Sequence, residues 1–133
     1  MVIKGWIKEG SWLDRSLYIV PEKNKNKETY EINYSLKLDC QLSKFNGKFV
    51  KARYAIKNKK FDDITEELFD QLYGELNEED VEFNISEITI NSYCNNVIGG
   101  HNITEALRNH IDKYVIIEVE EVEKPSWLKK EEN

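Results

Sequence analysis

The sequence of 133 residues contains no apolar run that approaches the roughly 20 residues of a membrane-spanning helix. No apolar core of a signal peptide follows its first residues. The two cysteines, Cys40 and Cys94, lie far apart and form no CxxC motif, which favours reduced thiols in a cytoplasmic protein. We therefore expect one cytoplasmic domain over residues 1–125 and a charged, flexible tail over residues 126–133.

Residues that usually build catalytic or metal sites are scarce. His101 and His110 are the only histidines, and with two distant cysteines they form no compact cluster that would ligate a metal ion. Neither a GxxxxGK[ST] nor a GxGxxG motif is present. We therefore expect no catalytic residues, no metal and no cofactor. A hydrolase built on Cys94 as nucleophile and His101 as base is the enzymatic alternative.

Basic residues are missing from one long segment. Between Phe61 and Leu107 the chain has twelve acidic residues and neither lysine nor arginine, whereas the segment from Lys48 to Lys60 has six basic residues and no acidic one. A solvated surface usually mixes both signs, so this segregation predicts a face that meets a cationic partner or one that imitates a polyanion. The predicted acidic partner face comprises Asp62, Glu66, Glu67 and Asp70.

The first half of the sequence predicts mainly strands. Candidate strands run over Val2–Glu9, Arg15–Pro21, Thr29–Cys40 and Lys48–Lys57. The third is the most regular, because every even position from residue 30 to residue 40 is apolar or cysteine. Such strict alternation predicts one buried face, with Cys40 in the core, and one wet face.

The second half of the sequence predicts two helices and further strands. Apolar residues recur at helical spacing behind a candidate capping box of Asp63 and Glu66: they are Ile64, Leu68, Leu72 and Leu76. A shorter helix is predicted over Ile103–Ile111, and a last strand over Lys113–Val122.

Between the two predicted helices the sequence predicts one strand with a β-bulge near its middle. Loops are predicted over Asn77–Asp80 and Asn95–Asn102, and strand patterns over Val81–Ile85 and Ile88–Ile90. The apolar positions change from odd to even between these two patterns, which a β-bulge in a continuous strand would explain. The predicted fold is α+β: a twisted antiparallel sheet or partly closed barrel of about six strands with two covering helices.

The segment Gly99-Gly100-His101-Asn102 is the candidate ligand or partner contact. Paired glycines let a backbone approach a ligand closely, free N–H groups at a helix start favour an anion, and His101 and Asn102 add donors. A structural interpretation competes with this one. In it, the glycines form a turn and Asn102 caps the following helix.

A basic strip is the candidate nucleic-acid interface. Phe49, Lys51, Arg53 and Lys57 share one face of a predicted strand, and Phe49 is placed to stack a base as in OB-type barrels. The sequence pI near 5.1 opposes this interpretation, because nucleic-acid modules tend to be basic. Alternatively, the strip pairs with the acidic helix that is predicted to follow it.

Part of the chain resembles a family. Gly99-Gly100-His101-Asn102, then Leu107, then Lys113-Tyr114 before a strand, resembles the C-terminal signature of small uncharacterised proteins of phages and prophages. Asp112 stands where these proteins usually have glycine. Lys4-Gly5-Trp6 and the segment 17–22 fit the same family.

The resemblance implies an accessory protein of a mobile element. Together with the segregated charge and the scarcity of catalytic residues, it predicts a non-catalytic binding protein that inhibits or sequesters a host defence factor or its small signalling molecule. A nucleic-acid-binding OB-like module and a toxin-neutralising immunity protein are the alternatives. The sequence does not indicate an oligomeric state or whether Cys94 is reactive.

Overall fold

The computed structural model describes residues 1–10, 15–23, 26, 30, 33–64, 70–85 and 88–124. Within these residues the strands are β1 (Val2–Glu9), β2 (Leu17–Val20), β3 (Phe49–Lys57), β4 (Asp70–Ile85), β5 (Ile88–Ile98), β6 (His101–Asn102) and β7 (Tyr114–Glu121). The helices are α1 (Leu38–Leu42) and α2 (Ile103–Arg108), with 3₁₀ turns at Tyr34–Leu36 and Ser43–Phe45. The α+β class is confirmed, and the predicted tail 126–133 lies outside the described residues.

The seven strands form one antiparallel sheet in the order β2-β1-β7-β3-β4-β5-β6. The sheet is open between β2 and β6, so the barrel alternative is not realised in the described part of the chain. Its central strand, β7, is buried on both faces from Tyr114 to Ile117, as its position between β1 and β3 requires. No helix among the described residues is long and apolar enough to cross a membrane.

Buried residues pack on both faces of the sheet. The larger cluster lies on the face that the helices cover, and α1 and α2 contribute to it through Leu38, Leu42, Ile103 and Leu107. The smaller cluster, on the other face, is mainly aromatic. Its largest members are Trp6, Tyr18, Tyr30 and Tyr114. Because this second cluster covers only part of its face, the remainder of that face is left open to solvent.

The predicted strand over Thr29–Cys40 is wrong in its described part. Tyr34–Leu36 form a 3₁₀ turn and Leu38–Leu42 form α1. Residues four apart share a face in a strand and also in a helix, so the buried pair Leu38 and Leu42 satisfies both patterns. Cys40, which the strand pattern placed in the core, is exposed on α1.

The predicted helix from Ile64 to Leu76 is also wrong from residue 70 onward, where β4 begins. Residues 65–69 lie outside the described residues. Leu72 and Leu76 are buried as predicted, but on one face of a strand, because a spacing of four residues fits that face equally well. The loop predicted over Asn77–Asp80 is the middle of the same strand.

After Ile85 the apolar residues change from odd to even positions because the chain reverses its direction there. Ile85 pairs with Ile88 in an antiparallel hairpin of β4 and β5, and paired residues share a face whatever their parity. The prediction of one continuous strand with a β-bulge at this point is therefore wrong. The register shift lies instead between Val81 and Glu82. The loop predicted over Asn95–Asn102 reduces to a turn, because β5 continues to Ile98 and β6 begins at His101.

β4 changes its partner along its length. Its first part, Asp70–Glu75, pairs with β3, and its second part, Leu76–Ile85, pairs with β5. β6 pairs only with Val97 and Ile98. The pairs from Glu78↔Asn96 to Ile85↔Ile88 therefore form a two-stranded segment, which we name the β4–β5 ribbon.

Two glycines allow the ribbon to leave the sheet where it does. A Cβ atom on Gly99 would overlap the carbonyl oxygen of Tyr73, and one on Gly74 would overlap the Cα atom of Gly99. The N–H of Gly99 donates to the carbonyl of Glu75 at 3.2 Å. Gly99 also has a φ of 55°, in the left-handed region that favours glycine. The backbone of β4 thus touches the turn between β5 and β6.

A pair of alanine substitutions tests this close approach. Gly100 has a φ of 87°, but nothing lies within 4 Å of an added Cβ atom, so Gly100→Ala adds only backbone strain, about 1 kcal/mol. Gly99→Ala adds the overlap with Tyr73 and should lower the free energy of unfolding by roughly 2–4 kcal/mol. Urea unfolding measures both. Equal losses in the two variants would contradict the contact.

Candidate interaction surfaces

Most acidic side chains near the centre of the sheet have a cationic partner. Glu118 pairs with Arg53, and Glu121 lies 3.3 Å from Lys48. At the opposite end of the sheet, Glu9 accepts a hydrogen bond of 2.8 Å from Arg108. These pairs join strands or join a strand to α2, so they follow from the antiparallel register.

The acidic residues of β4 are arranged differently. Glu75 and Glu79 are exposed, and neither forms an ion pair with any residue that the structure describes. The neighbours on β5 offer no positive charge, since Glu78 is paired with Asn96 and Glu79 with Asn95 in the strand register. Two more acids, at positions 80 and 82, follow on the same strand. We name the two exposed residues the β4 acids: Glu75 and Glu79.

The base of the β4–β5 ribbon is fixed to the body of the protein. The backbone N–H and the side-chain Nδ2 of Asn96 both donate to Oγ1 of Thr104 on α2, at 2.8 and 3.1 Å. On the other strand, the N–H of Glu78 donates to Oδ1 of Asn46 at 3.1 Å. These bonds hold Glu78 and its neighbours at a fixed place beside α2.

The predicted acidic partner face is only partly described, and it is not a helical face. Asp62 is exposed between β3 and β4, where its carbonyl accepts a hydrogen bond of 3.0 Å from Lys4. Asp70 opens β4 opposite Tyr54 in the register. Glu66 and Glu67 lie outside the described residues. The described members therefore belong to a loop and a strand.

The glycine segment is a tight hairpin turn followed by a helix cap. Gly99 and Gly100 have φ values of 55° and 87°, the pair of positive angles that a two-residue hairpin loop requires. His101 is exposed and pairs with Ile98. Oδ1 of Asn102 accepts a hydrogen bond of 3.0 Å from the N–H of Glu105, so Asn102 caps α2. The structural interpretation is confirmed, and a ligand contact at this turn stays a prediction.

The structure keeps Cys94 and His101 apart. Cys94 lies on β5 four residues before Ile98, the residue that pairs with His101. Four residues of strand span roughly 13 Å, whereas a nucleophile and its base need about 3 Å. This arrangement does not form the proposed hydrolase pair. Among the residues described, no group of three or more His, Cys, Asp or Glu side chains is placed to hold a metal ion.

The basic strip lies on one face of β3, as predicted, but acids neutralise it. In the register Lys51 stands opposite Glu120 and Arg53 opposite Glu118, both on β7. Among the described residues these acids come from β7, because β7 pairs with β3 from Val50 to Lys57. Farther along, the ammonium group of Lys57 lies 4.7 Å from the ring of Phe61, away from the other strip residues.

The same face of the sheet exposes apolar side chains. Val2, Tyr73 and Met1 are 53%, 46% and 39% exposed, and they are the exposed large hydrophobic residues in the described part of the chain. Phe49 packs edge-on against Tyr73, with 4.9 Å between ring centroids. A groove of about 430 Å³ runs between Val2 and Lys51. We define the open face as these residues and their charged neighbours: Met1, Val2, Phe49, Lys51, Arg53, Tyr73, Glu118 and Glu120.

Asp112 occupies a position that favours glycine. Its φ of 71° lies in the left-handed region, which asparagine and aspartate tolerate better than other side chains. Its N–H donates to the carbonyl of Ile7 at 2.8 Å, and its carboxylate accepts from Lys8. Both bonds tie the turn before β7 to β1, which explains how aspartate is accommodated at this positive φ.

The helix cap gives a direct test of the glycine segment. Asn102→Ala removes the acceptor for the N–H of Glu105 and should lower the free energy of unfolding by about 1 kcal/mol. His101→Ala changes an exposed side chain and should leave stability within roughly 0.5 kcal/mol of wild type. Thermal unfolding compares the two variants. A larger loss for His101→Ala than for Asn102→Ala would show that the histidine has a structural contact.

The exposed thiol gives a second test. Partial burial raises the pKa of Cys40, and the neighbouring carboxylate of Asp39 raises the pKa further, while Lys37 opposes the rise. Because only the thiolate reacts, alkylation by iodoacetamide should titrate at higher pH than alkylation of a free cysteine peptide. Asp39→Asn should lower the apparent pKa without abolishing the shift. Peptide mapping at Cys40 measures the rate, and an apparent pKa at or below that of the peptide would contradict this assignment.

No protein-family model matches the chain, and no curated protein and no solved structure matches it either. Its function is therefore inferred from the chemistry of its own residues.

Proposed function

We propose that this chain is a non-catalytic binding protein that captures a cationic protein partner through the β4 acids. The observation that carries the proposal is the contrast between two strands of one sheet. On β7, Glu118 and Glu121 form ion pairs and Glu120 stands opposite Lys51 in the register. On β4, Glu75 and Glu79 are exposed, form no ion pair with the described residues and have no basic residue opposite them in the register.

Position on a strand makes these carboxylates effective. Glu75 and Glu79 are four residues apart, which places them on one face of β4 at a separation of about 13 Å. Their fields add, and the residues that pair with them in the register, Phe49 and Asn95, carry no positive charge. A one-signed surface of this kind speeds association with an oppositely charged protein and disfavours acidic partners.

The biological role that we propose is inhibition or sequestration of a host defence factor in the cytoplasm. The resemblance of the glycine segment and the start of β7 to phage proteins supports this role. A protein partner suits the β4 acids better than a small signalling molecule does, because exposed carboxylates on a strand surface do not enclose a ligand. The nucleic-acid alternative is weakened by the acids of β7, which stand beside Lys51 and Arg53.

A charge-reversal experiment tests the proposal. Glu75→Lys/Glu79→Lys should remove basic host proteins from a quantitative pulldown, and its matched control is Glu22→Lys/Glu123→Lys. The control changes net charge equally at exposed positions outside β4. Wild type and control should retain the same basic proteins, and retention should fall as salt is raised. Equal retention by both variants would contradict a role for β4.

Two further measurements distinguish the alternatives. A small molecule that remains bound in native mass spectrometry would favour sequestration of a signalling ligand. Tight, salt-sensitive binding of DNA or RNA that is lost in Lys51→Ala/Arg53→Ala would favour the nucleic-acid module instead. We expect neither result.

A further inference from the structure

The apolar residues of the open face flank its centre on both sides. Met1 and Val2 belong to the β1 side, Tyr73 belongs to β4, and the strands β7 and β3 lie between them. Each of the three is more than a third exposed. Exposed apolar residues that lie on one face of a sheet mark an interaction surface more often than residues scattered singly.

The charges between these flanks form two rows of opposite sign. The β3 row consists of Lys51 and Arg53, and the β7 row consists of Glu120 and Glu118, paired in that order. Arg53 and Glu118 already form an ion pair. Lys51 and Glu120 are both exposed and form no ion pair with the part of the chain that the structure describes, although their Cα atoms are register partners.

We propose that the open face is a two-fold interface with a second copy of this chain. A two-fold axis parallel to the strands and between β7 and β3 places the β3 row of one copy over the β7 row of the other. Lys51 then meets Glu120 of the second copy, because register partners lie at the same height along the axis. The same rotation lays β4 over β1. Tyr73 is level with Glu120, one cross-strand pair beyond Val2 and Glu118, so it lies past Val2 at the Met1 end of β1.

This pattern fits a second copy better than other partners. A nucleic acid would meet the carboxylates of Glu118 and Glu120, and a strongly basic or strongly acidic protein would meet one row of like charge. A complementary surface places acidic residues over the β3 row and basic residues over the β7 row. The same face of a second copy, rotated about the two-fold axis, has this arrangement. Of the β4 acids, Glu75 borders the open face opposite Phe49, whereas Glu79 lies beyond it. The self-association does not depend on the proposed function.

The dimensions of the face predict a weak dimer. Four strands at about 4.8 Å spacing and six residues along each strand give a patch of roughly 20 by 20 Å. An interface of that size belongs to the small class that forms transient complexes. The net charge of −6 on each copy also opposes association. Dimerisation should therefore depend on protein concentration.

Sedimentation equilibrium of the full chain at physiological salt, from about 10 µM to about 1 mM, tests the interface across the range of weak affinities. Wild type should shift from monomer toward dimer. K51E/R53E carries acids in both rows and E118K/E120K carries bases in both rows, so each variant alone should dimerise at least about tenfold more weakly. Mixed in equal amounts, the two variants should associate more tightly than either alone.

Two further variants separate the interface from folding and from the β4 acids. Tyr73→Ser alters an exposed side chain and should weaken the dimer while the circular dichroism spectrum and melting temperature hold. Glu79→Lys changes an exposed acid of β4 that lies beyond the open face and should leave the two charged rows and their association intact. A monomer at every concentration would overturn the proposal. So would variants that associate no better as a mixture than apart, or protection of Tyr73 from iodination that does not change with protein concentration.

Discussion

The sheet is held together by β7, which joins the β1–β2 hairpin on one side to the strands from β3 to β6 on the other. β7 pairs with β1 on one side and with β3 on the other. Its residues Val115 and Ile117 join the larger buried cluster, while Tyr114 and Ile116 join the aromatic one. Each fully buried apolar side chain of this size contributes roughly 1.5–3 kcal/mol, so this short strand holds both faces of the sheet together.

β7 also decides how the surface charges are distributed. Glu118 and Glu120 face the basic strip because the register of β7 with β3 places them there. Glu75 and Glu79 on β4 form no ion pair with the described residues, because β4 leaves β3 after Glu75 and pairs with a stretch of β5 that contains no charged residue. The acidic residues of β7 therefore face basic residues of β3, whereas the exposed acidic residues of β4 face no basic residue on β5.

The sequence predicts those elements whose periodicity excludes an alternative. β1, β3, β7 and the start of α2 lie close to their predicted bounds, because alternation by two or a cap such as Asn102 has one interpretation there. Leu72 and Leu76, and likewise Leu38 and Leu42, are buried pairs four residues apart. That spacing fits a strand and a helix equally, so only the tertiary partners of each segment decide between them.

The candidate surfaces, too, could be predicted from the sequence only in part. The sequence identifies the basic strip, the acidic segment and the turn at Gly99-Gly100. Tyr73 and Val2 are exposed neighbours of the strip, and Glu120 is its counter-charge. All three are placed beside the strip by pairing between strands that are distant in the chain. A single sequence carries local periodicity and not the identity of the partner strand, so these residues cannot be found without the topology.

The central position of the last strand has a consequence for synthesis of the protein. The amino group of Met1 donates to the carbonyl of Val119, a partner 118 residues later. At roughly 5–20 residues per second, a ribosome needs about 6–24 s to make the strand that covers β1. During that interval the hairpin of β1 and β2 presents an unpaired edge with Ile3 and Ile7 uncovered. The outer edge of β1 therefore stays unpaired until residue 119 has been synthesised, and the nascent chain is vulnerable to mispairing over that interval.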